Sequence, residues 1–261
     1  MSASDWVRRV ERLLEGTRLE PLARRVYRKM YSIARPRSPH SVQYHRQIVE
    51  VMARVLTPAS TCVLVGAHRG SLLEEIVRLA PKGRHFAYEP LPHLAARLAR
   101  RFPGVSVDQV AVSDRSGESR FYHVVDHPGY SGLRRLGSIP SGLTVRDIVV
   151  RTEPLDDLLP ADLPIAFMQV GVGGAQLQVL EGAQHTIERW KPPIVFEHGM
   201  SAMLAYGTSS AMVWDLLVGR YGLRISRLGD WLARKRPLTS AEFEASVGFH
   251  QEAESSFLAH P

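Results

Sequence analysis

The chain has 261 residues, one cysteine and a formal net charge of +7. That length suits one α/β domain with an N-terminal extension and buries a core without staples, while the lone Cys62 excludes an intramolecular disulfide and reads as a buried thiol. No apolar run approaches the ~20 residues that span a bilayer, and Met1 to Val10 lacks the apolar core of a signal peptide; a soluble cytoplasmic protein is the expectation.

Apolar residues recur at helical spacing over 5–15 (Trp6, Val7, Val10, Leu13, Leu14) and 19–33 (Leu19, Leu22, Val26, Met30, Ile33). Arg35-Pro36-Arg37-Ser38-Pro39 reads as a linker, and a third helix is expected over about 40–56. Residues 1–50 carry 11 Lys+Arg against 5 Asp+Glu, so the basicity belongs to this extension and argues against a nucleic-acid binder. The expected division is 1–57, a basic helical extension, and 58–261, the main domain. Three roles stay open for the extension: packing its apolar stripe on the domain, which is the expectation, forming a homodimer, or lying on an anionic membrane surface.

Beyond it, Thr61 to Val65 is a short apolar run ending in Gly66, as a buried parallel strand should be. Helical spacing follows over 70–80, a strand over 84–89, a helix over 91–102 and a strand over 105–110. Further strands are expected at 118–125, 146–152, 164–172 and 193–198, and helices at 175–190 and 209–219, with Tyr221, Leu223 and Ile225 alternating as strand residues do. Strands alternating with helices imply a mainly parallel sheet covered on both faces. Residues 126–143, rich in Gly, Ser and Pro, are too long for a plain connection.

The sharpest local signal is Val63-Leu64-Val65-Gly66-Ala67-His68-Arg69-Gly70, a strand entering a glycine turn that opens a helix. Such a turn lets a ligand approach the backbone. Glu89, 19 residues past Gly70, ends the next strand, where a carboxylate can accept hydrogen bonds from both ribose hydroxyls of a nucleotide-like cofactor. His68 is counted with the cofactor turn, against the plainer reading of a turn-capping residue. His123, Asp126, His127 and Tyr130 cluster near the long loop at a spacing open to a metal, with solvated loop residues as the expectation, and Ser131 to Arg135 are open to an anion-binding or substrate-closing loop, with a solvated basic turn as the expectation.

The ordered set Val65 to Gly70, Tyr88-Glu89-Pro90, Ala111-Val112-Ser113-Asp114, Leu155-Asp156-Asp157, Gly174-Ala175 with Val179 to Ala183, and Pro193 to Glu197 resembles the FkbM family of S-adenosylmethionine-dependent methyltransferases. The resemblance runs from Cys62 to about Gly199. It implies a Rossmann-like class I methyltransferase fold with a seven-stranded, mainly parallel sheet, and S-adenosylmethionine lying across the carboxyl ends of the first strands. Gly66, Ala67 and Gly70 would form the backbone cradle, Glu89 and Pro90 would lie at the ribose, and Ala111, Val112 and Ser113 near the adenine. The substrate implied is a hydroxyl of a small molecule, sugar or natural product, with Glu197 or His198, at a strand end, taking the proton.

This chain departs from the family's pattern at its acids. Leu64 stands where the family has an aspartate. The motif of lysine, apolar, aspartate, apolar, glutamate, glycine, alanine, glutamate reads here Gln169, Val170, Gly171, Val172, Gly173, Gly174, Ala175, Gln176. Gly171 is assigned to the cofactor's edge by position alone, since it offers no side-chain donor or acceptor. No metal site is expected on this motif. The expected function is an O-methyltransferase; the alternative, carried by the acid-free segment, is a catalytically silent methyltransferase-like binding or scaffold protein.

Overall fold

A computed structural model describes residues 39–137, 139, 142–247 and 255–261. The chain divides into two units, Met1–Val42 and Gln43–Pro261. The helices expected at 5–15 and 19–33 lie outside the described residues; the third is present as α1, Pro39–Val55.

The seven-stranded sheet is built from β1 (Cys62–Val65), β2 (His85–Tyr88), β3 (Val105–Asp108), β7 (Phe167–Val170), β8 (Ile194–His198), β9 (Arg224–Arg227) and β10 (Ser255–His260), in the order β3-β2-β1-β7-β8-β10-β9. All pairings are parallel except those of β10, which runs antiparallel to β8 and β9. β1, β2 and β7 are buried at every residue, the signature of a strand covered on both faces.

The period of two sorts the side chains. Val63, Val65, Met168, Val170, Ile194 and Phe196 face one apolar layer, completed by Leu180, Ile187, Tyr221 and Phe243. Cys62, Leu64, Phe167 and Val195 face the other, against Ile48, Val51 and Met52 of α1 and Leu73 and Ile76 of α2 (Ser71–Leu79). Burial pushes the Cys62 thiol up to about 12, so it stays an inert apolar filler.

Between β2 and β3 runs α3 (Pro92–Arg101), with Pro92 in its first turn and Arg100 and Arg101 in its last, each where the helix favours it. The strands expected near 118–125 and 146–152 leave the main sheet. As β5 (Gly117–Val124) and β6 (Val145–Glu153) they form an antiparallel pair, and β6 also pairs in parallel with β4 (Ala111–Val112). A short helix α4 (Leu155–Leu158) precedes β7.

The helix expected over 175–190 is two, α5 (Gln176–Glu181) and α6 (Gln184–Trp190). The break has a physical cause. A side chain at Gly182 would lie 2.0 Å from the Ser113 carbonyl, so two backbones meet there. Asp156 then caps α6 from outside, accepting from the His185 and Thr186 N–H groups at 2.8 and 3.0 Å and from the Thr186 hydroxyl at 2.7 Å. After β8 come α7 (Met200–Tyr206), α8 (Ser210–Trp214) continued as a π-helix over Asp215–Arg220, α9 (Leu228–Leu232) and α10 (Ser240–Ala245). No described helix is long and apolar enough to cross a membrane.

Candidate functional site

In the order β3-β2-β1-β7-β8 the chain direction of winding reverses between β1 and β7, and a crevice opens at such a switch point beyond the carboxyl ends of the strands. A cavity of about 330 Å³ lies there, at the lower end of the range for small-molecule pockets. Its walls come from the turn after β1, the end of β2, the segment after β3, the β5 hairpin, and the ends of β7 and β8.

The turn after β1 is fixed by its glycines. Gly66 has φ +79°, and a Cβ there would stand 2.0 Å from the Gly171 carbonyl oxygen; only glycine lets the β1 and β7 ends close up in this way. The Gly66 and Ala67 N–H groups both donate to the Tyr88 carbonyl, and the Gly70 N–H donates to that of Ala67. The turn therefore offers its backbone as a surface, with these three donors already used. Gly66, Ala67 and His68 line the cavity, whereas Gly70 does not: it starts α2 at φ +79° with Leu98 and Phe102 packed where a side chain would go.

Glu89 is 4% exposed and lines the cavity. Its Oε2 accepts from the His68 N–H at 2.8 Å and its Oε1 from the Leu91 N–H at 3.0 Å. Burial raises its pKa, while the two N–H donors pull the other way. The carboxylate is thus held rigidly with lone pairs left over, as a group that binds a pair of hydroxyls requires. Pro90, Leu91, Ala111, Val112 and Phe121 give the same end of the cavity its apolar walls. Ser113 is buried outside the cavity, its N–H donated to Glu153 and its hydroxyl to Asp114.

His68 takes φ 50°, and burial, with Arg69, His127 and His93 nearby, lowers its pKa to about 4. It is a neutral imidazole at the cavity wall, not a cation.

The two residues expected as proton acceptors point opposite ways. Glu197 lines the cavity on the face it shares with Leu64 and Val195; His198, the next residue, turns into the other layer. His198 is 1% exposed, stacks on Phe243, accepts from Gln176 Nε2 at Nδ1 (3.1 Å), and meets Ser210 Oγ at Nε2 (3.1 Å). Burial lowers its pKa to about 4. With both ring nitrogens engaged away from the cavity, His198 is a structural hydrogen-bonding residue, which corrects its expected place at the site.

Two parts of the site are silent in the motif reading. The first is the loop after β5. Gly132 exchanges backbone hydrogen bonds with Tyr122, the Ser131 hydroxyl accepts from the Val124 N–H at 2.9 Å, and the Tyr206 hydroxyl accepts from the Arg134 N–H at 3.1 Å. These ties lay Pro128, Gly129, Ser131 and Leu133 over the cavity. The length and composition of 126–143 were the available signal; in the turn at 131–135 Arg134 and Arg135 are exposed, as expected, while Ser131 and Gly132 are buried and Ser131 and Leu133 line the cavity. The second is Gln169, 7% exposed and lining the floor.

The glycines after β7 acquire a reason here. A Cβ at Gly171 would meet Gln169 Nε2 at 2.6 Å, one at Gly173 the Ser131 carbonyl at 2.7 Å, and one at Gly174 the Tyr206 ring at 2.6 Å. The acid-free segment is the seat of an amide, a capping loop and an aromatic ring.

The description "Methyltransferase FkbM domain" matches residues 65–223. The chain belongs to this family. Its sheet, seven strands parallel but for one, is the Rossmann-like class I arrangement that this family implies. Among curated proteins, the 2-O-methyltransferase NoeI of Sinorhizobium fredii is 31% identical over 116 residues, 43% of this chain and 46% of that protein; the match spans about half of the relative's length. Among solved structures, the methyltransferase FkbM of Methylobacillus flagellatus KT aligns over 92% of this chain and 60% of its own, at 15% identity and a TM-score of 0.48. A TehB-like SAM-dependent methyltransferase of Corynebacterium glutamicum aligns over 92% and 95%, at 10% identity and 0.42.

Proposed function

We propose that this protein is an O-methyltransferase that uses S-adenosylmethionine and acts on a hydroxyl of a small molecule, sugar or natural product. The observation that carries the reading is the pairing, in one loop-capped cavity, of the held carboxylate of Glu89 with the carboxylate of Glu197 three strands away, at β8. At about 4.8 Å per strand these ends stand roughly 14 Å apart, room for a ribose at one end and an acceptor at the other. The name of the Sinorhizobium relative, a 2-O-methyltransferase, supports oxygen as the acceptor atom.

The residues present suit the cofactor. Glu89 would take the ribose hydroxyls, Pro90, Leu91, Ala111 and Val112 would flank the base, and the backbone at Gly66 and Gly171, which lines the cavity, would face the amino-acid end. When bound, S-adenosylmethionine supplies a methyl group on a sulfonium, so transfer breaks a carbon–sulfur bond, forms a carbon–oxygen bond and releases the hydroxyl proton. The chain's part is alignment, exclusion of water by the 128–133 loop, and acceptance of that proton by the Glu197 carboxylate. Calorimetry with S-adenosylhomocysteine tests the first half: Glu89→Ala should weaken binding by about 1.5–3 kcal/mol. Unchanged affinity in a folded variant would take Glu89 out of the site.

The second reading, a binding protein without turnover, is favoured by the acid-free seat Gly171–Gly174. Cofactor binding together with no methyl transfer to any of a panel of sugars and polyols would decide for it.

A further inference from the structure

Gln169 is a polar residue of the cavity that the proposed chemistry leaves without work. It stands where the family's pattern has a lysine, and Gly171 stands where that pattern has an aspartate, so both charges of a potential pair are replaced together. The side chain is 7% exposed and lines the cavity floor. An amide that lines a cavity offers what enters it both a donor and an acceptor. The absence of a side chain at Gly171 gives the amide its room, since a Cβ there would come within 2.6 Å of Nε2.

Its neighbours fix what it faces. Gln169 pairs with Leu64 on one side and with Val195 on the other. Glu197 is two residues beyond Val195, hence on the same face of the sheet and nearer its carboxyl edge. One strand spacing and two residues of rise put the two Cα atoms about 8 Å apart, a span that two convergent side chains of this length close to the width of a sugar ring. Glu89 directly follows β2, on the far side of β1, so the floor between β7 and β8 is left for the acceptor.

We propose that the Gln169 amide and the Glu197 carboxylate form one acceptor subsite for a vicinal diol, in which Gln169 holds the hydroxyl adjacent to the one being methylated. An amide suits that task because it donates to and accepts from a neutral hydroxyl, whereas a lysine only donates. Gln169 then sets specificity and position, and Glu197 takes the proton. The inference rests on the methyltransferase reading of the cavity.

The test is ligand-observed NMR titration of methyl glycosides carrying vicinal diols, and of their monodeoxy counterparts, into the full chain saturated with S-adenosylhomocysteine. Wild type should bind at least one diol glycoside tenfold or more tightly than its monodeoxy form. Gln169→Leu should erase that difference, Gln169→Asn should restore part of it, and both should bind S-adenosylhomocysteine as wild type does. A Gln169→Leu protein that keeps the diol preference, or one that stays folded but loses S-adenosylhomocysteine, overturns the proposal, as does a wild type that binds no glycoside. Diol binding that depends on Gln169 without methyl transfer keeps the subsite and overturns the enzymatic reading instead.

Discussion

Adjacent residues of one strand have opposite fates at the end of β8. Glu197→Gln should lower methyl transfer by roughly 10²–10⁴, the usual contribution of a general base, with the fold unchanged. His198→Asn should leave the chemical step nearly intact and act on stability. The His198 imidazole is pushed down to about 4 by burial, from an unfolded value near 6.5. The unfolded chain therefore binds the extra proton first, and stability is full above about pH 6.5 and falls as pH drops toward 4. By pH 5 the loss from this one group is about 2 kcal/mol. Urea titrations from pH 7.5 to 4.5 should show a shallower decline in His198→Asn than in wild type; equal slopes would remove His198 as a source. The glycines after β7 divide in the same way. Gly173 has φ +57° and the Ser131 carbonyl in front of it, so Gly173→Ala should cost about 1–3 kcal/mol. At Gly171 the first obstacle is the end of a flexible amide, so Gly171→Ala should cost less by chemical denaturation and act mainly on the cavity.

The loop after β5 is tied down at identifiable points. Among its ties are backbone pairing with Tyr122, the Asp126 carboxylate accepting from the Thr144 N–H at 2.7 Å, one serine hydroxyl and one phenol. Tyr206→Phe removes the acceptor for the Arg134 N–H, worth about 1 kcal/mol of local stability. Hydrogen exchange around 128–135 should speed up several-fold while exchange in β1 and β7 stays unchanged, and transfer should slow if the cap excludes water. Exchange that rises evenly across the sheet would mean that Tyr206 acts on the whole core instead. The same element shows why the motif reading missed it. Hairpin strands and sheet strands share one alternating pattern, and nothing in Gly117 to Glu153 says that these residues leave the main sheet to roof the cavity.

For the whole molecule, α1 is the place where unit and core must be told apart. Val51 and Met52 are fully buried against the Leu64 face of the sheet, so the main domain needs α1 even though the charge pattern groups it with the basic residues before it. A chain beginning at Pro39 should unfold cooperatively. One beginning at residue 58 should not, because losing even the Met52 side chain costs about 2–5 kcal/mol, against a domain stability on the order of 5–15 kcal/mol. Thermal unfolding of the two truncations, with circular dichroism as the probe, checks this; a cooperative, native-like transition from the shorter chain would make α1 dispensable.

The sequence by itself determined the alternation of strands and helices, the glycine turn after β1, the acid that follows β2 and the family, because each is written in local spacing. Buried parallel strands need unbroken apolar runs, and a backbone that must pass within 2.0 Å of another needs glycine whatever surrounds it. Only the tertiary structure decided which of Glu197 and His198 meets the cavity, since one residue of strand register reverses every face. Tertiary contacts alone also placed β10, whose few apolar residues become a strand between β8 and β9 because partners on both sides supply its hydrogen bonds. They likewise turned the missing acids into a seat. Glycine in a sequence reads as a loss of side chain, but in the fold it is room, and of what fills that room Gln169 is a strand neighbour, while Ser131 and Tyr206 come from 42 and 32 positions away, where no local pattern connects them.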